Sequence, residues 1–192
     1  MQEKFVLETA KNSDIVGILE LQELYLVTNL TDEEKVSGFV TTSFSESLLE
    51  YVINQNGIFI VKSNYKIIAY AFAASWDFFS RYPIFEYMIS LFPKFKFRNF
   101  ILNTTNSFQY GPVCIHKDFR GQGIIEILFE YMRIHILEKY PLSVTFINKT
   151  NIPSTKAHVN KLKWEVIDGF LFNNNEYLVL AYDMNISVKN KL

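Results

Sequence analysis

The chain has 192 residues, with 20 acidic and 19 basic side chains, a net charge of −1, 49% hydrophobic residues and 20% charged ones. That length and balance suit one globular domain with a sizeable core, exclude a disordered chain, and argue against nucleic acid as the main partner. A single cysteine excludes an internal disulfide framework, no apolar run approaches a membrane span, and Met1-Gln2-Glu3-Lys4 does not open a signal peptide, so a cytoplasmic protein with no membrane contact is expected.

Lys4–Thr9 alternates around Phe5, Val6 and Leu7 and predicts a first strand. Asn12-Ser13-Asp14 offers caps for a helix to about Val27, with an apolar stripe through Ile15, Ile18, Leu19, Leu21, Leu24 and Tyr25. Asn29 to Glu34 predicts a second, capped helix ending near Gly38. Phe39–Thr42 is extended, and Ser45 caps a short helix through about Asn54. Phe39 and Thr41 are candidates for lining an acceptor site, with ordinary core and loop as the alternative. Gly57–Ser63 and Lys66–Ser75 form a hairpin around Asn64-Tyr65.

Trp76–Phe100 is unusual: ten of its 25 residues are aromatic, against 21 of the other 167. A helix starts near Pro83. So much apolar surface needs a cover. The segment walls an apolar acceptor pocket, forms a homodimer interface, or makes a satellite core. Lys94, Lys96 and Arg98 alternate with Phe95 and Phe97, as in a half-solvated edge strand.

The chain is organised around Tyr110–Tyr140. Three of the seven glycines, Gly111, Gly121 and Gly123, lie here. Tyr110–Ile115 predicts a buried strand, and Gly111-Pro112 predicts a bulge or a splay in it, since proline has no N–H for the ladder. Arg120-Gly121-Gln122-Gly123 then leads into a helix to Lys139, closed by Pro141. Glycines over a helix N-terminus let backbone N–H groups approach an anion, the helix dipole favours negative charge, and Arg120 adds a cation. This chemistry suits a pyrophosphate. A P-loop is excluded, because no Gly-Lys-Ser/Thr is present. A dinucleotide fingerprint is excluded too, because Glu126 stands where it needs its third glycine.

Val113-Cys114-Ile115 followed by Phe119-Arg120-Gly121-Gln122-Gly123-Ile124 resembles the acyl-CoA loop of the GNAT N-acetyltransferases, with Ile125 where that superfamily usually has Gly or Ala. The resemblance runs from about Phe5 to Asp183. It implies an α/β (α+β) fold with a mixed, mostly antiparallel central sheet flanked by helices and a bulged strand before the loop. It also implies acetyl-CoA as cosubstrate, held by Val113, Cys114, Ile115, Arg120, Gly121, Gln122, Gly123, Ile124 and Ile125, and an amine acceptor.

Past the central helix, Leu142–Asn148 is a strand and Pro153 a first-turn residue of a helix capped at Ile152 or nearby Asn151. Asn151 to His158 resembles the second GNAT signature. The resemblance puts Asn151 and Ser154 beside the pantetheine arm and His158 where the family often has a tyrosine acid. Trp164–Phe172 and Glu176–Asp183 make a final strand pair around Asn173-Asn174-Asn175. One domain over residues 1–184 is expected, with 185–192 a frayed tail.

N-acetyl transfer needs a neutral amine, a donor to the thioester carbonyl and an acid for the thiolate. A backbone N–H near Cys114 serves the carbonyl, and His158 serves the thiolate. The base is open: Ser107-Phe108-Gln109-Tyr110 has no carboxylate, which leaves Asp77 or Tyr110 acting through water. His116 and His135 have no expected role. Cys114 reads as a small buried hydrophobe, and no cluster has metal spacing. The missing carboxylate keeps a catalytically silent acyl-CoA-binding protein as the rival reading.

Overall fold

The computed structural model describes residues 5–191. Lys4, where the first strand was expected to begin, the Met1–Lys4 opening and Leu192 lie outside the described residues. In chain order the elements are β1 (Val6–Thr9), α1 (Ile15–Glu23), α2 (Asp32–Lys35), α3 (Glu46–Ile53), β2 (Ile58–Ser63), β3 (Lys66–Ala74), α4 (Trp76–Phe79) and α5 (Pro83–Leu91). There follow β4 (Lys96–Phe97), β5 (Phe100–Ile101), β6 (Ser107–Ile115), α6 (Ile124–Ile136), β7 (Leu142–Asn148), α7 (Ile152–Lys156), β8 (Glu165–Phe172) and β9 (Asn175–Asp183).

Among the described residues seven strands form one sheet in the order β1-β2-β3-β6-β7-β9-β8. Every pairing is antiparallel except β6 with β7. This is the mixed, mostly antiparallel α+β architecture the sequence predicts. The β2–β3 turn puts Asn64 and Tyr65 at positive φ, and the β8–β9 turn does the same with Asn173 and Asn174. Asparagine visits that region more readily than most residues, which suits two-residue hairpins.

The period-2 pattern sorts the sheet into two faces. Tyr70, Phe72, Cys114, Leu142 and Val144 pack with α1, α3, α4 and α5. Ala69, Ala71, Ala73, Phe108 and Tyr110 pack with α6. The small alanines of β3 let α6 lie close. Leu128, Met132 and Ile136, four residues apart, supply its buried stripe beside Phe129. No helix among the described residues is long and apolar enough to cross a membrane.

Several expectations are corrected in detail. The first helix stops at Glu23, and Val27–Asn29 is a separate 3-10 turn. The second is one turn long; Thr31 caps it, accepting from Glu34 N–H at 3.3 Å while its own N–H donates to the Glu34 carboxylate at 2.9 Å. The central helix ends at Ile136, short of Lys139.

The aromatic segment is mainly core. Trp76, Phe78, Phe79, Phe85, Phe92, Phe95 and Phe97 are buried against Phe44, Phe72 and Phe146 and one another, and Tyr87 and Phe100 remain exposed. Lys96 and Phe97 pair with Ile101 and Phe100 in a small hairpin outside the main sheet.

The expected frayed tail is not frayed at its start. Met184 and Val188 are buried, and Val188–Lys191 forms a 3-10 turn. Glu130 on α6 accepts from Ser187 Oγ at 2.8 Å and from Val188 N–H at 3.0 Å. The polar sequence hid this dock, because its anchor lies 57 residues away.

Candidate active site

Strand β6 makes the cleft. Its first three residues, Ser107–Gln109, pair with Leu142–Val144 of β7, and there the pairing ends. On the other side β6 stays paired with β3 to Ile115, with a register shift opposite Gly111-Pro112. The two central strands therefore diverge beyond Gln109. Proline's missing N–H and the bulge end a ladder that would otherwise continue, and the β7-facing edge of residues 110–115 opens onto the gap.

The glycine loop closes one end of the gap. Gly121 and Gly123 have φ of +77° and +79°, which side chains resist, and a Cβ at either would meet nothing within 4 Å. The space above the α6 N-terminus is thus open, with Gly123 as N-cap. Arg120 is fixed rather than free. Its Nε donates to the Ile115 carbonyl at 2.9 Å, Nη1 donates to the Ser37 carbonyl at 2.6 Å, and the guanidinium stacks 4.7 Å over the Tyr25 ring. Tyr25 in turn accepts the Lys117 N–H at 2.7 Å.

A cavity of about 480 Å3 lies against this loop. Val113, Cys114, Ile115, Arg120, Gly121, Gly123, Ile124, Ile125, Asn151, Ser154 and His158 all line it, so the two motifs meet on one wall. Gln122 is the exception: it is exposed, donates to the Asp118 carbonyl at 2.9 Å and lies outside the lining. Tyr25, Ser37, Lys156 and Lys161 are lining residues the sequence reading did not single out. No local signal marks the first two, which reach the loop from more than 80 residues upstream.

A second cavity, of about 360 Å3, continues on the far side of the splay. Phe39 and Thr41, the sequence candidates for lining an acceptor site, are among its lining residues, with Ile84 and Phe85 contributed by the aromatic segment. The two cavities share Phe39, Val40, Val113, Asn151, Ser154 and His158. Asn151 holds this junction. Its Oδ1 accepts the Ser154 N–H at 3.3 Å, capping α7, and its Nδ2 donates to the Phe39 carbonyl at 3.2 Å. The helix then widens into a π turn over Ala157–Lys161, with Leu162 N–H bonded to the Ala157 carbonyl.

His158 sits in that turn, packed against Tyr110 and Trp164. Its Nδ1 is 2.8 Å from the Ser154 carbonyl, which can only accept, so the hydrogen is on Nδ1 and Nε2 is bare. Burial brings its pKa down to about 4. A neutral imidazole whose one N–H is already committed has no proton for a departing thiolate, so the expected acid role does not fit this geometry at neutral pH.

Tyr110 lines the second cavity, yet burial pushes its phenol up, far from any role as a base. Asp77 is exposed on α4 and lines neither cavity. Burial likewise raises the Cys114 thiol to about 12, against a weaker opposing pull from Arg120, consistent with a buried hydrophobe. Among the described residues no group of three His, Cys, Asp or Glu side chains is placed to hold a metal ion.

No protein-family model matches this chain, and no curated protein matches it in sequence. Solved structures do share its shape. An N-acetyltransferase from Staphylococcus aureus Mu50 superposes with a TM-score of 0.60 at 15% identity, over 94% of this chain and 99% of that one. A GNAT-family acetyltransferase from Bacillus cereus ATCC 10987 does so with a TM-score of 0.59 at 12% identity, over 94% and 97%. The chain has the GNAT fold. A third GNAT-fold neighbour, yncA of Salmonella typhimurium, was solved with its cofactor acetyl-CoA; it gives a TM-score of 0.62 at 11% identity, over 94% of each chain. At these identities the likeness is one of fold.

Proposed function

We propose that this protein transfers the acetyl group of acetyl-CoA to the nitrogen of an amine. The observation that carries this reading is the junction. A cavity over an anion-favouring helix N-terminus meets a second, aromatic cavity at Asn151, Ser154 and Val113, where β6 has left its partner. Gly121, Gly123 and Arg120 would receive the pyrophosphate, Asn151 and Ser154 would flank the pantetheine, and the thioester would lie at the shared wall. The fit rests on the open space over both glycines and the row of peptide groups at the β6 edge.

In this reading the amine lone pair attacks the thioester carbonyl carbon. A C–N bond forms while β6-edge N–H groups stabilise the developing oxyanion. Collapse breaks the C–S bond, and the amine proton reaches the thiolate through water. Proximity supplies much of the rate, as expected where two substrates are held end to end. We also take the protein to act in the cytoplasm, since a lone reduced cysteine suits a reducing compartment.

A second reading, a catalytically silent acyl-CoA-binding protein, is favoured by one feature: among the described residues no carboxylate lines the second cavity. Thiol release from acetyl-CoA across a panel of alkylamines, arylamines, amino acids and peptides separates the two. Turnover of any acceptor above the hydrolysis background establishes transfer. Tight acetyl-CoA binding with no turnover establishes the silent protein.

A further inference from the structure

The second cavity has a chemistry that selects its occupant. Among the described residues, none of those lining it is Asp, Glu, Lys or Arg, and His158 at its inner end is neutral. Phe85, Phe146, Phe172 and Tyr177 supply aromatic walls. An alkylammonium entering here would lose water and gain no counter-charge, which is costly in a low-dielectric site. Nothing in the wall would take its proton either. With a pKa near that of lysine, only about one alkylamine molecule in two thousand is the free base at neutral pH.

The wall nevertheless offers a receptor at Gln109. Gln109 is 4% exposed and lines the cavity where the strands part. Its Nε2 donates to the Tyr110 carbonyl at 2.8 Å and lies 3.4 Å from Thr145 Oγ1. A carbonyl oxygen accepts only, so the amide cannot be reversed. Its Oε1 is therefore an acceptor, and it has no hydrogen-bond partner in the protein. A buried carbonyl oxygen without a partner costs free energy that an incoming N–H recovers.

Resting on the acetyl-transfer reading, we propose that the acceptor is an arylamine, with nitrogen bonded to the ring and uncharged at neutral pH, whose N–H is received by Oε1 of Gln109. Conjugation of the nitrogen lone pair with the ring makes such an amine weakly basic, so it arrives already competent to attack. Its ring meets the aromatic walls. The C–N bond of an N-aryl acetamide forms as the C–S bond breaks, and the proton lost by nitrogen passes through water to the thiolate. Gln109 acts by holding the nitrogen over the carbonyl carbon and takes no proton.

The test compares 4-methylaniline with 4-methylbenzylamine, which differ by one methylene and by charge, with acetyl-CoA and the intact chain. The expected result is a kcat/KM at least about tenfold higher for the aniline at neutral pH. Its profile should be flat between about pH 6 and 8, while that of the benzylamine climbs about tenfold per unit. Gln109→Leu should raise KM for the aniline about tenfold and leave acetyl-CoA affinity unchanged, and Gln109→Glu should move preference toward the benzylamine. Melting curves identify a variant that fails to fold, and the comparison on the natural chain stands without either variant. Preference for the benzylamine overturns the proposal, and so does turnover of neither amine when acetyl-CoA binds. Failure of acetyl-CoA to bind instead overturns the acetyl-transfer reading beneath it, and calorimetry reports that separately.

Discussion

The side-chain amide of Asn151 reaches across the cleft to the backbone of Phe39, 112 residues earlier, with Nδ2 donating to the carbonyl at 3.2 Å. The same side chain caps α7 through the Ser154 N–H. One buried residue thus ties the start of the second motif to the backbone of Phe39, which lines both cavities. Asn151→Ala removes both bonds and leaves the Phe39 carbonyl without its partner. A loss of about 2 kcal/mol in stability is expected from denaturant unfolding, within the range for a cap plus a buried hydrogen bond. Acetyl-CoA affinity should fall with it, whereas the neighbouring exposed position Ile152→Ala should change neither.

Gly123 separates conformation from contact. Its φ of +79° penalises side chains, and the direction a Cβ would take is open. Asparagine tolerates that conformation, so Gly123→Asn should melt within a few degrees of the natural chain, while Gly123→Val should lose roughly 1–2 kcal/mol to backbone strain. Both put atoms over the α6 N-terminus and should cut acetyl-CoA affinity by at least about tenfold if a pyrophosphate sits there. Unchanged affinity in Gly123→Asn would remove the loop from the binding site.

Histidine 158 gives the fold a pH dependence. Its folded pKa lies near 4, below the ordinary value of 6.5, because burial disfavours the charged form. The unfolded chain therefore binds the proton first. Stability is complete above about pH 6.5 and is lost as pH falls toward 4, by roughly 3 kcal/mol in all. His158→Gln should flatten that part of the stability profile. In the natural chain His158 should add no step to the pH–rate profile between about pH 6 and 8, and a step near 6.5 that disappears in His158→Gln would contradict the neutral imidazole.

Much of the fold was legible because its signals are local. Apolar runs mark β3 and β6, the apolar-rich run behind the glycine loop marks α6, and turns built on asparagine mark the hairpins. The Gly-Pro step foretold the splay of β6 because proline's effect on a ladder needs no tertiary context. What the sequence hid is long-range. Tyr25 and Ser37 reach Arg120 from the other end of the chain, and the role of Gln109 depends on which strand edge is left unpaired. The state of His158 also escaped, since burial and the Ser154 carbonyl decide it rather than its spacing from Ser154. Whether the aromatic segment faced solvent could not be read from its composition; the structure puts most of it inside and lends Phe85 to the cavity.

Docking of the C-terminal segment rests on Glu130. Burial opposes ionisation of its carboxyl, but hydrogen bonds from Arg133, Ser187 and Val188 outweigh that and bring it to about 2. Arg133 completes the clamp, with Nη1 donating to the Met184 carbonyl at 2.7 Å. Glu130→Gln should cost about 3 kcal/mol, since it leaves a buried guanidinium without its partner. The contribution of this carboxylate is present above about pH 4.5 and fades as pH falls toward 2. Amide hydrogen exchange should show Val188 losing protection in the variant before the sheet does.

The most direct test of the account is calorimetric titration of the natural chain with acetyl-CoA, with Gly123→Asn titrated alongside. The account predicts one site per chain with the natural protein and at least about tenfold weaker binding with the variant at an unchanged fold. Absence of binding to the natural chain, or equal binding by both proteins, would contradict it.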